Sequence, residues 1–136
     1  MDILFVAGFS PIVADPNASR SFYGDVLGVQ FEKKMDDYSY THELAGVKHL
    51  GLWPLAEAAE TCFGTPTWPA HIPVPQATIE FEVADVAVAE RELREKGLAL
   101  IHGTRLEPWG QVTARLLSPE GLLVGLVSTP WLTTGE

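Results

Sequence analysis

Apolar and polar residues alternate along several short stretches of the chain, a pattern that is typical of β-strands with one buried face. The clearest stretch is 77–83, where every second residue is apolar and the residues between them are Thr78, Glu80 and Glu82. The same pattern predicts further strands over residues 5–14, 29–35, 38–44, 48–53, 98–102, 111–117 and 122–127.

Two helices are predicted between these strands, each begun by an aspartate and ended by a glycine. Asp15 is a helix N-cap followed by Pro16 at the first helical position, and Gly28 ends that helix. Asp85 is the predicted N-cap of the second helix, and Gly97 ends that helix. We expect an apolar stripe of each helix to pack against the sheet. The stripes are Ala18, Phe22 and Val26 in the first helix and Val86, Ala89 and Leu93 in the second.

The second half of the chain repeats the order of elements in the first half. Each half contains a strand, a capped helix and three more strands, with a glycine turn before the last strand at Gly46 and at Gly121. Such a repeat predicts two strand–helix–three-strand modules that share one core. We expect residues 1–136 to form a single domain, with module 1 over about 4–53, a connector over 54–75 and module 2 over 76–129.

The connector between the modules has its own pattern. A short helix is predicted over residues 55–62, and the prolines that follow it exclude regular structure. The connector also carries Phe63, Trp68 and Ile72, which a flexible linker would not need. We therefore expect it to lie as a loop over the edge of a module.

Charge and cysteine content narrow the classes of partner. The formal net charge of −9 argues against binding to nucleic acid or to an anionic membrane, because both require basic surfaces. Cys62 is the only cysteine, which excludes an internal disulfide, and we expect it to be a buried apolar residue. The chain has no apolar stretch long enough to span a membrane and no basic N-terminal signal, so a cytoplasmic protein is expected.

Three motifs carry a resemblance to a known family. They are SFYGDVLG after Asp15, EPWGQ in the second module, and SPEG followed by LLVGLV at the last strand. Together they resemble the vicinal oxygen chelate superfamily, which includes glyoxalases, bleomycin-resistance proteins and extradiol dioxygenases. The resemblance implies an α+β fold of two βαβββ modules that form a cup-shaped mixed sheet, with helices outside and a ligand or metal inside. It also implies a homodimer, to which the apolar ends at Leu4, Phe5, Trp131 and Leu132 are suited.

Alternation predicts which side chains face the inside of this cup, because the apolar set of each strand packs against the helices. The register of the third strand is the weakest part of this assignment, since a slip of one residue would invert the whole face. The ligand-binding residues predicted in this way are Tyr38, Tyr40, His42, His49, Trp53, Glu80, Glu82, Trp109, Gln111 and Arg115.

The resemblance also implies where metal ligands would lie. Metal-binding members of the family carry a ligand in the first strand and another in the last strand of each module. In this sequence those places fall on Gly8, Thr78, Gly51 and Gly125. A divalent ion needs several converging nitrogen, oxygen or sulfur donors, which these residues lack. We therefore expect no metal and no other cofactor, and open space where glycine replaces a ligand.

Three functions for the cup are compatible with the sequence. The first is a drug- or metabolite-binding protein, whose aromatic walls and acidic groups suit a cationic or hydroxylated small molecule. The second is a lyase or isomerase that uses His49 with Glu80 or Glu82 as general acid and base, with or without a divalent metal. In the third, the same residues form a hydrogen-bonded network without chemistry. The sequence favours the first, and it leaves open whether the protein is an enzyme.

Overall fold

A computed structural model of the protein describes residues 1–33 and 37–133. These residues contain one eight-stranded mixed sheet. Its strands are β1 (Phe5–Val13), β2 (Glu32–Lys33), β3 (Ser39–Thr41), β4 (Leu50–Pro54), β5 (Ala77–Glu82), β6 (His102–Leu106), β7 (Val112–Leu117) and β8 (Leu123–Ser128). In space they follow the order β2-β3-β4-β1-β5-β8-β7-β6.

The two halves of the sheet have the same topology. In the first half β1 pairs in parallel with β4, and β4, β3 and β2 follow as antiparallel neighbours. In the second half β5 pairs in parallel with β8, and β8, β7 and β6 follow in the same way. Antiparallel pairing of β1 with β5 joins the halves. The predicted fold class, an α+β mixed sheet built from two βαβββ units, is confirmed.

The helix of the second half, α3 (Val86–Glu95), follows its sequence prediction closely. The Asp85 carboxylate accepts a hydrogen bond from the backbone N–H of Val88, which caps the helix. Val86 and Ala89 are buried in a cluster with Ala114 of β7 and Leu126 of β8, on the outer face of the sheet. The cluster also includes Val83, and its partly buried members are Phe81, Leu93, Leu100 and Val112. This core holds β5, β7 and β8 in place behind the inner face.

The helix of the first half differs from its prediction. Asp15 caps α1 (Pro16–Arg20) through the N–H of Ala18, as expected, but the helix continues as a π-helical segment over Ser21–Val26. Phe22 is 50% exposed and Val26 is 70% exposed, so the predicted packing of this stripe on the sheet is wrong. In a π-helical segment the backbone bonds span five residues, as from Leu27 N–H to Phe22 C=O, and residues four apart no longer share a face.

The connector helix, α2 (Leu55–Phe63), agrees with the prediction of a helix over 55–62, but its position does not. Ala58, Ala59 and Cys62 are buried against Trp68 and against Leu123 of β8. Leu123 belongs to the inner face of the sheet, so the connector closes one end of that face instead of lying over a module edge. Small residues on this side of the helix allow its backbone to approach the sheet. Burial of Cys62 is as expected, and it raises the pKa of the thiol.

Some predicted strands have shifted boundaries. The strand predicted over 98–102 begins instead at His102, because the backbone N–H of Leu98 still bonds to Leu93 C=O and completes the end of α3. In the first half, the strand predicted over 29–35 is described only at Glu32–Lys33, and residues 34 and 35 lie outside the described part. Within 1–33 and 37–133, no helix is both long and apolar enough to span a membrane.

Candidate functional site

A cavity of about 490 Å³ lies on the inner face of the sheet. All the predicted ligand-binding residues except Glu82 lie around it. They are Tyr38, Tyr40, His42, His49, Trp53, Glu80, Trp109, Gln111 and Arg115. The side chains on the other face of β3, Ser39 and Thr41, are buried, which places the tyrosines in the predicted register.

One row of residues crosses the sheet at the middle of the cavity. Arg115 on β7 lies opposite Gly125 on β8, and Gly125 lies opposite Glu80 on β5. Glu80 in turn lies opposite Gly8 on β1. Because glycine carries no side chain, Glu80 has open positions on both sides. Its carboxylate reaches across Gly125 until Oε2 is 3.8 Å from Nη2 of Arg115.

The space above the glycines is partly filled, contrary to the sequence analysis. A Cβ atom added at Gly51 would lie far inside van der Waals contact with the Tyr38 hydroxyl oxygen. A Cβ at Gly125 would lie 3.2 Å from Cγ of Glu80. Side chains of neighbouring strands therefore occupy two of the places that the resemblance assigns to metal ligands.

The metal centre implied by the resemblance does not fit these residues. Gly8, Gly51 and Gly125 offer no donor atom, and Thr78 offers one hydroxyl, which is buried without a hydrogen-bond partner. Throughout the described part of the chain, no group of three His, Cys, Asp or Glu side chains is placed to hold a metal ion. The four places that the resemblance assigns to metal ligands therefore offer a single donor atom, the Thr78 hydroxyl.

The first half of the sheet supplies a chain of hydrogen-bonded aromatic side chains. The Tyr38 hydroxyl is hydrogen-bonded to Nε2 of His49, and Nδ1 of His49 is 2.8 Å from Nε2 of His42. His42 is exposed, whereas Tyr38 lies deeper in the cavity. Burial raises the pKa of Tyr38 above its ordinary value; a hydrogen bond with Ser10 opposes this shift. Tyr38 is therefore a neutral phenol at physiological pH.

The second half supplies a buried guanidinium group. Arg115 is fully buried, and its Nη1 donates to Oε2 of Glu107 at 2.7 Å and to Nε2 of His102 at 3.0 Å. Although burial alone would raise the pKa of Glu107, hydrogen bonds from Thr113 and Arg115 hold it below its ordinary value. The Trp53 ring covers the guanidinium, with its centroid 5.6 Å from Cζ. Glu107 also pairs with Nε of Arg105 at 3.2 Å, and Nε and Nη2 of Arg115 are buried without hydrogen-bond partners.

Hydrogen bonds fix the tautomer of His102. A carbonyl oxygen can only accept, so the contact of 2.8 Å between Nδ1 of His102 and Gly103 C=O requires a proton on Nδ1. The Nε2 lone pair is then free to accept from Arg115. Burial is the main cause that lowers the pKa of His102, and the positive charge of Arg115 adds to it. His102 is accordingly a neutral acceptor that orients the guanidinium.

Glu80 is the most central carboxylate of the cavity. Its Oε1 accepts from Nε2 of Gln111 at 3.1 Å, and Nε2 of Gln111 also donates to Oγ1 of Thr129 at 2.8 Å. Nε1 of Trp109 donates to Oε1 of Gln111 at 2.9 Å. Gln111 therefore orients Glu80 through contacts with two other elements.

Glu82 does not contact the cavity, which corrects its prediction as a catalytic and ligand-binding residue. It is on the predicted face of β5, but it is fully buried and its Oε2 accepts from the backbone N–H of Thr129 at 2.7 Å. Thr129 leads directly into the last helix, α4 (Pro130–Thr133), which the alternation of β5 could not reveal. Burial raises the pKa of Glu82.

Several lining residues were missed by the sequence analysis. Glu57 and Thr61 come from α2, where they are four residues apart and share one face of the helix. Ser10 is in phase with Gly8 on β1, a signal that alternation could have supplied. The other missed lining residues are Ala7, Thr129, Trp131 and Leu132. Most of these depend on how the connector and the C-terminal segment pack, which a local pattern does not predict.

Comparison with known protein families identifies the superfamily of the chain. The model of the Glyoxalase/Bleomycin resistance protein/Dioxygenase superfamily matches residues 9–126. No curated protein sequence matches the chain.

Solved structures confirm the fold. A superfamily member from Vibrio splendidus 12B01 is 22% identical with a TM-score of 0.55, over 89% of this chain and 96% of its own. Methylmalonyl-CoA epimerase from Streptomyces coelicolor is 18% identical with a TM-score of 0.61, over 94% of this chain and 99% of its own. The methylmalonyl-CoA epimerase from Mycobacterium tuberculosis is 18% identical with a TM-score of 0.58, and the match covers 97% of this chain and 93% of the epimerase. At these identities the likeness extends to the fold alone.

The contact between Tyr38 and Gly51 gives a test of the site geometry. We predict that Gly51→Ala destabilises the protein by about 1–3 kcal/mol, because the new methyl group overlaps the phenol ring. In a Tyr38→Ala background the same substitution should have little effect. Denaturant unfolding of the four proteins in this double-mutant cycle measures the coupling.

Gly8→Ala is the matched control. A Cβ at Gly8 would lie 3.4 Å or more from the atoms of His49, close to ordinary contact, so the added methyl group should be tolerated. Equal destabilisation by Gly51→Ala in both backgrounds would show that Tyr38 does not fill this position.

Proposed function

Because the chain belongs to the glyoxalase/bleomycin resistance protein/dioxygenase superfamily, we propose that its cavity binds a small organic molecule without a divalent metal ion. The observation that carries this proposal is the cavity of about 490 Å³, a size that accommodates drug-like ligands. Aromatic rings such as those of Tyr38, Trp53 and Trp109 form part of its walls, and polar side chains line the rest. A protein of this kind sequesters a drug or metabolite.

The charges around the cavity favour a cationic or hydroxylated ligand. Arg115 shares a buried hydrogen bond with Glu107, which also pairs with Arg105. Glu80, whose Oε2 is 3.8 Å from Nη2 of Arg115, and Glu57 also line the cavity, so its lining carries two carboxylates and one guanidinium. Aromatic faces such as Trp109 attract organic cations through their quadrupoles. A ligand with an ammonium group and an apolar body satisfies both features.

We predict that benzyltrimethylammonium binds more tightly than its neutral isostere neopentylbenzene, in isothermal titration calorimetry. Glu80→Gln should weaken binding of the cation by about 1 kcal/mol, roughly fivefold, and leave the neutral probe unaffected. Addition of EDTA should change neither affinity, because no ligand set for a metal is expected in the cavity.

Glu60→Gln is the control for net charge. Glu60 is exposed on α2, so its substitution changes the total charge by the same amount at a distance from the cavity. If the neutral probe binds as tightly as the cation, the proposed ligand class is wrong. If neither probe nor any larger aromatic compound binds, the proposal of a binding protein is wrong.

A second candidate function is a lyase or isomerase that acts by proton transfer. It is favoured by the position of His49 between Tyr38 and His42, with the Glu80 carboxylate on the same face. Glu80 would remove a proton from carbon, and the first-half side chains would supply one. Glu82 is excluded from this role by its burial beneath Thr129.

Proton transfer at carbon can be detected without knowledge of the natural substrate. We predict for this candidate that the protein accelerates deuterium exchange next to the carbonyl group of small ketones or 2-oxo acids in D₂O, measured by NMR. His49→Ala should abolish the acceleration while ligand-induced shifts persist. Absence of exchange across the panel would leave binding as the better function.

The exposed apolar residues favour a homodimer. Leu4 is 52% exposed and Trp131 is 47% exposed, and Phe22 and Val26 add further apolar surface outside the sheet. We predict a dimeric mass by light scattering at micromolar concentration. A monomeric mass under these conditions would contradict the assignment.

A further inference from the structure

The three hydrogen-bonded side chains of the first half form a continuous path from the exposed edge of the cavity to its interior. His42 is exposed at one end, and the Tyr38 hydroxyl lies above Gly51 at the other. His49 connects them, using one ring nitrogen for each neighbour. An imidazole that is bonded through both nitrogens can accept a proton on one side and release a proton on the other.

We propose that His42, His49 and Tyr38 conduct protons between bulk solvent and the cavity, with the Tyr38 hydroxyl as the group that exchanges a proton with a bound oxyanion. The ligand class for such a group is a phenolate or an enolate. This step concerns the same cavity as the proposed function and takes its hydroxylated ligands in their ionised form, whereas hydroxyl exchange at Tyr38 can be followed without any ligand.

The proton balance of the path closes with every side chain neutral. In the donating state, Nε2–H of His42 points to Nδ1 of His49, and Nε2–H of His49 points to the oxygen of Tyr38. When Tyr38 gives its proton to the ligand oxyanion, it receives the Nε2 proton of His49. His49 receives the Nε2 proton of His42 on Nδ1, and His42 takes one proton from water on Nδ1. One proton enters from solvent and one leaves to the ligand.

The surroundings of Tyr38 favour proton transfer over a stable tyrosinate. Burial is the main cause that raises its pKa, and the negative charges of Glu80 and Glu57 act in the same direction. A phenol in this position gives up its proton only if another proton replaces it. His49 is placed to supply the replacement, because its Nε2 is in direct contact with the hydroxyl.

Tyr40 provides an internal comparison. Its ring lies beside the path, with its centroid 5.7 Å from those of Tyr38 and His49. Its hydroxyl is 3.4 Å from Oε1 of Glu32. Tyr40 therefore shares the aromatic environment of the path, with its hydroxyl bonded to a carboxylate.

The test measures hydroxyl exchange at Tyr38 in the ligand-free protein. In an equal mixture of H₂O and D₂O, the ¹³Cζ resonance of a labelled tyrosine is one averaged line when hydroxyl exchange is fast and two lines when it is slow. We expect one line for Tyr38 in the wild type. In His42→Gln, exchange should slow by about 100-fold, and two lines should appear. Tyr38→Phe assigns the resonance.

Two further variants make the result specific. His49→Gln should give the same two lines as His42→Gln, and Tyr40→Phe should keep the single line of the wild type. Two lines in the wild type would overturn the proposed path. A single line in both histidine variants would overturn it as well, because cavity water would then exchange with the Tyr38 hydroxyl directly. Failure of the organic probes to bind would contradict the proposed function and leave this result unchanged.

Discussion

Antiparallel pairing of β1 with β5 is the constraint on which the cavity depends. It is the contact between the two halves of the sheet, and it places Gly8 opposite Glu80 and Ser10 opposite Thr78. Because strand side chains alternate between two faces, a shift of one residue in this pairing would turn Glu80 outward and bring apolar residues into the cavity. The aromatic residues of one half and the charged residues of the other face each other only in this register.

Small residues on the inner face determine how the larger side chains lie. At Gly51 and Gly125 the absence of a Cβ allows Tyr38 and Glu80 to extend along the sheet instead of standing upright from it. The resemblance described above implies that metal-binding members of the family carry metal-ligating side chains at these strand positions. Here the same two positions admit a phenol and a carboxylate from neighbouring strands. Glycine at these two positions thus changes the chemistry of the cavity and does not simply enlarge it.

Alternation predicted the inner face well because strand side chains follow a strict period of two, whatever the tertiary context. The positions of Tyr38, His49 and Arg115 around the cavity follow from this rule. The rule could not show that Glu82 would be covered, since that depends on the chain near Thr129, far away in sequence.

Helical patterns were less reliable in the first half than in the second. Val86 and Ala89 pack as predicted on a regular α-helix, whereas the stripe of Phe22 and Val26 failed because the helix changes its bonding pattern at Ser21. A capping aspartate and a terminal glycine are compatible with a regular α-helix and with one that continues as a π-helical segment. The sequence therefore predicted the two ends of the helix but not which of its side chains face the sheet. The position of α2 on the inner face likewise depends on packing between distant segments.

The two halves contribute different chemistry to a cavity of nearly symmetrical construction. The first half provides hydrogen-bonding rings, ending in Tyr38, and the second provides the carboxylate of Glu80 beside the guanidinium of Arg115. Burying Arg115 without a carboxylate would be unfavourable, and the fold supplies Glu107 at 2.7 Å and Glu80 at 3.8 Å, while Glu107 also pairs with Arg105. Under the proposed function, a ligand that spans both halves would present an oxygen or an aromatic surface to one side and a cation or a donor to the other. The asymmetry between the two halves, and not the size of the cavity alone, is therefore what the proposed ligand class rests on.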